Sequence, residues 1–413
     1  MPSGMDETPD VILIGGGLVG MTTALALAAF GVRSAVVDTA DLETTVASGF
    51  DGRATAIASA SWRMFEALGL AERLEGLDCP IDEIRVSEGL GRHSLHFDGR
   101  TGTGGGVAGE PLGHMLENRH IRRALIDAGR EEPLIDLYAP DRTTDIERSA
   151  HGVTVRLDSG QVLKAPLLVA ADGRRSRIRE EAGIRAARWQ YRQTAIVGMI
   201  EHERPHENVA FEIFYPAGPF AILPMLPGTR SAIVWTVPAK EADAWLGLPE
   251  RALMAEIDKR IGGFLGMTRM AAPPASYPLG FHHAERYTDM RLALVGDAAH
   301  GIHPIAGQGL NMGLRDAAAL AEVVGDGVRL GLDIGETEVL ARYQRWRGFD
   351  NMAVSVSTDV LNRLFGLPGE TMKHVRGLGL SMVGRVPPLK NFFMAEARGA
   401  SGDLPGLLRG ERP

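Results

Sequence analysis

The chain has 413 residues, 45% of them apolar, with a formal net charge of −8 and an isoelectric point near 5.9. That length holds two domains or one large one with a sizeable core, and the acidic balance without a basic run argues against nucleic acid as a partner. The single cysteine, Cys79, excludes an internal disulfide and a multi-cysteine metal site and reads as a buried structural thiol.

The first ten residues are polar and acidic, without the basic region of a secretory signal, and the apolar stretch from Met21 to Phe30 is too short to cross a bilayer. A soluble cytoplasmic protein is expected, with room for peripheral membrane contact. Asp10 precedes Val11-Ile12-Leu13-Ile14, an aliphatic run suited to a buried strand, which leads into Gly15-Gly16-Gly17-Leu18-Val19-Gly20. An alanine- and leucine-rich helix to Phe30, a stop at Gly31 and a strand Ser34–Val37 ending at Asp38 complete a βαβ unit. Gly15-x-Gly17-x-x-Gly20 lies in the strand-to-helix turn and the acid follows about twenty residues on, as dinucleotide binding requires. Glycines there admit a pyrophosphate to the helix N-terminus, and Asp38 can accept from ribose hydroxyls. The glycine pattern alone is common; strand, helix, second strand and acid in register make it a dinucleotide expectation.

Arg53, in Asp51-Gly52-Arg53-Ala54, fits either a surface charge or a guanidinium facing a phosphate or flavin edge. An apolar helix follows around Trp62 to Leu70, and the glycine-rich segment Gly99 to Gly113 reads as a mobile loop. Asn118 to Ile126 starts an amphipathic helix whose three arginines suit a solvated face. Val153–Leu157 and Val162-Leu163 flank the turn Asp158-Ser159-Gly160 as a hairpin. The apolar run Leu167–Ala171 then ends in Asp172-Gly173. From Thr194 to Val237 four strand-like runs separated by proline and glycine turns predict an antiparallel sheet, inserted between halves of a nucleotide domain. A helical stretch runs from Ala239 to about Leu265, and the next expected strand is Leu292–Val295. That strand breaks at Gly296-Asp297, and after a turn with Pro304 comes Gly307-Gln308-Gly309-Leu310-Asn311 opening a helix. Strand, carboxylate, glycine-rich loop and helix start together favour an anion or an electron-rich ring. The tail from Arg342 is helical with a break at Val386-Pro387-Pro388.

Three motifs in this order, GGGLVG, ADGRRS and GDAAHGIHP, resemble those of the FAD-dependent aromatic-ring monooxygenases typified by p-hydroxybenzoate hydroxylase. The strings HPIAGQGLNMGLRD, FAILPMLPGTRSAIVWT and RGLGLSMVGRVPPLKNFFM resemble the ubiquinone-biosynthesis hydroxylases more specifically, and this likeness spans nearly the whole chain. The resemblance implies an α/β fold: a Rossmann-like FAD-binding domain, an inserted antiparallel sheet for the substrate and a helical C-terminal tail. It implies FAD as cofactor, NAD(P)H as co-substrate and ring hydroxylation of a polyprenylated phenol through a C4a-hydroperoxide. By position, Gly15, Gly17 and Gly20 would hold the pyrophosphate and Asp38 the ribose, where the family more often has glutamate. Arg53 would lie beside pyrophosphate and flavin, Asn118 or Arg119 would reach the phosphates, and Asp172 would serve both FAD and the reducing nucleotide. Asp297 would accept from the ribityl chain, Leu310 and Asn311 would meet the pyrimidine end and Pro304 the face where oxygen reacts, with Gly296, Gly307 and Gly309 also among the cofactor-binding residues.

The expected divisions are 1–80, 106–185 and 286–345 for the FAD-binding part, 81–105 and 186–285 for the substrate part, and 346–413 for the helical tail. His300 and His303 lie near Asp297, but no third ligand recurs at matching spacing and structure is the expected role. His282-His283 reads as a solvated turn, and Tyr215 and Tyr277 fit either packing or a substrate face. A small free aromatic acid as substrate and a non-catalytic flavin-binding scaffold are the alternative functions. A polyprenyl substrate implies peripheral membrane contact, for which Leu367, Leu378, Leu380, Met382, Phe392 and Phe393, interspersed with Lys373, Arg376, Arg385 and Lys390, are candidates. Other ubiquinone-biosynthesis proteins are possible partners.

Overall fold

The computed structural model describes residues 8–47, 53–91, 94–301, 308–348, 350–351 and 386–413. A six-stranded sheet has the order Thr288–Asp289, Leu292–Leu294, Leu167–Ala170, Val11–Ile14, Ser34–Val37, Ile135–Tyr138. All neighbours are parallel except the edge strand Thr288–Asp289. Its central strands are short and wholly apolar because helices or loops cover both faces. Ile14, Val37, Ala170 and Leu294 stand in one row across the sheet. The segments at Gly15, Asp38, Asp172 and Gly296 therefore all leave from the same carboxyl edge, where open α/β sheets bind ligands.

Helix Leu18–Ala29 packs against helix Gln308–Arg329. A Cβ on Gly313 would lie 2.6 Å from a Val19 methyl, and one on Gly325 would lie 2.5 Å from the Phe30 ring. Val19 faces Gly313 near one end and Phe30 faces Gly325 near the other, so the two helices run parallel. Their positive N-termini consequently meet at the carboxyl edge of the sheet.

The expected antiparallel sheet exists and is larger than the sequence suggested. Its eight strands run His300–Gly301, Thr268–Ala284, Ala186–His202, Arg230–Pro238, Gly218–Met225, Val209–Tyr215, Glu83–Glu88, Ser94–Asp98, with one parallel pair, Val209–Tyr215 on Glu83–Glu88. Strand Thr268–Ala284 was not foreseen, because Pro273, Pro274 and Pro278 interrupt its pattern. Proline cannot donate to a ladder, and the pairing with Ala186–His202 shifts register around these positions. This strand also corrects the reading of His282-His283 as a solvated turn: both lie in it, and His282 is buried. One face of the sheet, with Ile196, Ile213, Phe220 and Trp235, packs on helices Ala242–Leu246 and Glu250–Ile261. The other, with Met199, Ala210 and Ala232, packs on Cys79, Ile81 and Met115 from a small antiparallel sheet, Ala54–Ala58, Gly113–Glu117 and Cys79–Ile81.

Helix Pro387–Ala397 begins on the Val386-Pro387-Pro388 break, since a proline at the first helical turn loses no hydrogen bond. Met394 anchors it in the core between the sheets. Arg398, wholly buried, then reaches the glycine-rich segment: Nη2 donates to the Gly99 carbonyl at 2.7 Å and Nη1 lies 3.1 Å from Glu110 Oε2. A side chain on Gly106 would collide with this guanidinium at 2.2 Å. The segment expected to be a mobile loop is thus a receptor for the carboxy-terminal arginine. Arg398→Ala leaves Glu110 and the loop carbonyls without their buried donor, and a loss of about 3 kcal/mol is expected in urea unfolding; an unchanged midpoint would show the clamp to be unimportant.

Candidate active site

The glycine turn is shaped by contact. Gly15 has φ +109°, and a Cβ there would lie 2.3 Å from the Ala171 carbonyl oxygen; one on Gly20 would strike the Gly15 carbonyl at 1.8 Å. Gly17, by contrast, faces open space, with nothing within 4 Å of its Cβ position, and it starts helix Leu18–Ala29 without a side-chain cap. The helix N-terminus is therefore accessible to an anion. Asp38 closes the turn, its Oδ2 accepting from Gly16 N at 2.6 Å and its Oδ1 from Ala40 N at 2.7 Å. Each carboxylate oxygen has two lone pairs, so capacity remains on the ribose side.

Arg53 and Asn118 come together across the small sheet: Asn118 N donates to the Arg53 carbonyl at 3.1 Å, and the Asn118 amide oxygen accepts from Thr55 at 2.6 Å. Arg119 instead turns back on Glu117 at 2.6 Å. Asp172, just past the end of strand Leu167–Ala170 beside the glycine turn, is largely enclosed; Oδ2 is 3.4 Å from Ile178 N and Oδ1 is buried without a partner. Burial raises its pKa. Asp297 is half exposed, 3.9 Å from Arg174, and its carbonyl accepts from His282 Nε2 at 2.8 Å. Burial pushes His282 down to about 4, so it is neutral and Nε2 carries the proton.

Below this surface lies a network the sequence did not reveal. Asp316, fully buried on the late helix, accepts from Gly296 N at 3.0 Å, Arg347 Nε at 2.8 Å and Asn351 Nδ2 at 3.0 Å, with His300 Nε2 at 2.5 Å. Burial alone raises a carboxyl pKa, but the charges of His300 and Arg347 and these donors hold Asp316 well below the ordinary carboxylate range. His300 is thus tied to a buried carboxylate. Among the described residues no cluster of three or more potential ligands forms for a metal.

The late helix opens at Gln308, so Gly309, Leu310 and Asn311 lie in its first turn; Gly309 faces open space, and Leu310 packs on the main core. The Asn311 side chain clamps strand Ala54–Ala58, accepting from Ala58 N at 2.9 Å and donating to the Ala56 carbonyl at 2.8 Å. Pro304, Gly307 and His303 lie outside the described residues. Tyr215 turns from the inner face and donates to the Arg260 carbonyl at 2.8 Å, while Tyr277 is partly exposed.

Two parallel helix N-termini, each with an open glycine, and a buried carboxylate oxygen awaiting a donor fit a ligand with a diphosphate at one end and an electron-rich ring at the other. A family profile described as FAD binding domain matches residues 8–345. The chain belongs to this FAD-binding family. Within it, the chain is 46% identical over 408 residues to "Ubiquinone hydroxylase UbiL" of Rhodospirillum rubrum, covering 98% of this chain and 94% of that one. It is 32% identical to "3-demethoxyubiquinol 3-hydroxylase" of Escherichia coli, covering 95% and 99%. In fold, this FAD-binding chain matches p-nitrophenol 4-monooxygenase PnpA of Pseudomonas putida with a TM-score of 0.77 at 19% identity, over 96% of this chain and 99% of that one.

Asp316→Asn removes the charge facing His300 and Arg347, and a loss of about 3–5 kcal/mol is expected near neutral pH. Because the folded pKa is depressed, the wild-type advantage is complete above the ordinary aspartate value and fades as pH falls below about 4. Melting temperatures of both proteins against pH check this; a gap that widens in acid contradicts it.

Proposed function

We propose that this chain hydroxylates the aromatic ring of a polyprenylated phenol on the way to ubiquinone, using FAD and NAD(P)H. The observation that carries the reading is 46% identity to a ubiquinone hydroxylase along 98% of the chain, with a site built for a diphosphate and an electron-rich ring. Bound FAD supplies electron transfer from NAD(P)H and the activation of oxygen.

The chain's residues then divide the work. Gly15, Gly17 and Gly20 bring the backbone to the pyrophosphate, and Asp38 accepts from the ribose. Arg53 compensates phosphate charge, and Asn118 or Arg119 reaches the phosphates as a hydrogen-bond donor. Asp172 Oδ1 takes the hydroxyl donor it lacks, and Gly296 with Asp297 lines the ribityl chain. Gly309, Leu310 and Asn311 offer the positive helix end to the pyrimidine edge, favouring negative charge there, and Gly307, outside the described residues, is assigned to the cofactor with them. Pro304 borders the oxygen face.

The inner face of the eight-stranded sheet, including 81–105 and 186–285, forms the apolar substrate wall that excludes water. Helix Pro387–Ala397 supplies peripheral membrane contact: Phe393 and Met394 turn inward, while Val386, Leu389 and Phe392 are exposed beside Lys390. The other tail residues expected in this role, Leu367, Lys373, Arg376, Leu378, Leu380, Met382 and Arg385, lie outside the described residues. Among the described residues no helix is long and apolar enough to cross a membrane.

Purified protein is expected to be yellow and to couple NAD(P)H oxidation to a hydroxylated polyprenylphenol, identified by mass; folded protein that takes up no FAD ends the proposal. Gly17→Val is expected to lower flavin content about tenfold or more without changing the melting temperature of the flavin-free protein. For the membrane, Leu389→Glu with Phe392→Glu is expected to reduce co-sedimentation with anionic liposomes several-fold; undiminished binding removes the helix from that role.

A further inference from the structure

The eight-stranded sheet carries an acid that neither its packing nor the flavin site uses. Along strand Val209–Tyr215, Phe211, Ile213 and Tyr215 face the helices on the outer side. Ala210, Glu212 and Phe214 alternate onto the inner side, where Ala210 joins the core against Met115 and Cys79. Glu212 pairs with Ala221 on one neighbour and Val86 on the other, and the row continues through Val234 and Val197. Its carboxylate makes no hydrogen bond or ion pair among the described residues. The side chain is crowded by neighbours yet keeps partial solvent access, and burial pushes its pKa up to about 7. On the same face Thr236, almost fully buried, has a hydroxyl with no partner.

An enclosed carboxylate without a donor opposes folding and is tolerated where something else supplies the donor. Its neighbours on this face, Ala221 across the ladder and Ala210 two residues before it, are small. We infer that Glu212 receives the ring hydroxyl of the substrate phenol. This rests on the proposed reaction and adds a residue to it. The ionised carboxylate accepts the hydroxyl hydrogen bond and then the proton: the phenolic O–H bond breaks, the proton passes to a Glu212 oxygen, and the electron pair stays on the ring oxygen. The ring carbons ortho and para to it become more electron-rich at the moment oxygen is transferred to one of them. The proton returns to the phenolic oxygen as the product leaves.

Few other titratable groups meet Glu212. On the inner face the neighbouring strand carries Glu88, one row along from Val86, while the partly exposed Tyr277 lies four strands away. In the layer packed against that face Cys79 is a thiol pushed up to about 12 by burial, hence neutral. Helix Pro387–Ala397 contributes only the apolar Phe393 and Met394 to that core. Glu212 is the group on this face poised to titrate near neutrality.

The test compares 2-prenylphenol with its methyl ether, binding to oxidised, FAD-loaded full-length protein without NAD(P)H. Wild type is expected to prefer the phenol about tenfold at pH 8, with the preference fading below pH 7 as Glu212 protonates; Glu212→Gln loses both preference and pH dependence but still binds the ether. Flavin content should be unchanged. Because the folded pKa is raised, the ionised carboxylate opposes folding increasingly as pH rises through about 7. Glu212→Gln should therefore raise the melting temperature at pH 8 and not at pH 5. A variant that keeps the preference and its pH dependence overturns the role of Glu212 alone. One that binds neither compound assigns Glu212 to structure instead. Wild type that binds neither overturns the reaction and the inference together.

Discussion

Asp316 is the constraint on which the site depends. One carboxylate draws Gly296 from a strand end, His300 from the edge of the second sheet, and Arg347 with Asn351 from the tail onto the late helix. An ionised carboxylate with no water must find all its donors in the protein, and these come from segments that only one arrangement brings together. Apolar residues at these places could pack as well, but they would tolerate the helix sliding by a turn, about 5.4 Å. Such a slip would carry Gly309 and Leu310 away from the edge where Gly17 lies. The network therefore governs register, and register governs whether two helix ends can serve one elongated cofactor.

Buried arginines extend the same logic around the rim. Arg179 donates to the Ala298 carbonyl at 2.7 Å and the Arg174 carbonyl at 3.2 Å, tying the segment after Asp172 to the segment after Asp297. Arg291 binds the Pro166 carbonyl at 3.0 Å and Asp333 at 2.6 Å, fixing the approach to two neighbouring strands. Arg315 reaches the Ser401 carbonyl and Asp350, and burial pushes its pKa down to about 10, which leaves it charged. A guanidinium has five fixed donors, so each can gather several loop carbonyls. In a chain whose one cysteine is buried and unpaired, these forks do the cross-linking.

What the sequence disclosed was local. The βαβ unit, the hairpin near Ser159 and the glycine motifs follow from neighbours a few residues apart; a dinucleotide-binding fold with an inserted sheet was legible from them, and FAD from the family resemblance of the motifs. Strand Thr268–Ala284 was hidden because its prolines sit at register shifts that only a partner strand can absorb. The burial of His282 was hidden with it. The loop at Gly99 to Gly113 looked mobile because its ligand, Arg398, lies nearly three hundred residues away. Asp316 gave no sign either, its donors being 16 to 35 residues distant. Glu212 did carry a signal: a single acid on an otherwise apolar strand, at a position whose alternate neighbours Ala210 and Phe214 belong to a buried face.

The three enclosed acids divide by how completely the protein serves them. Asp316 has every oxygen engaged by this chain and its role ends with the fold. Asp172 has one oxygen served and one orphaned at the edge where the cofactor belongs. Glu212 has neither served, on the face opposite the small sheet that bears Arg53 and Asn118. Asp316 is fully buried, whereas Asp172 and Glu212 keep some exposure, and in those two the unmet hydrogen-bonding capacity marks where a ligand can bring a donor. On that scale the cofactor donates to the one orphaned oxygen at Asp172, and the substrate donates to Glu212, which no group of the protein serves. A phenol hydroxyl supplies that donor and an ether does not, so discrimination is greatest where the protein leaves its own acid least satisfied.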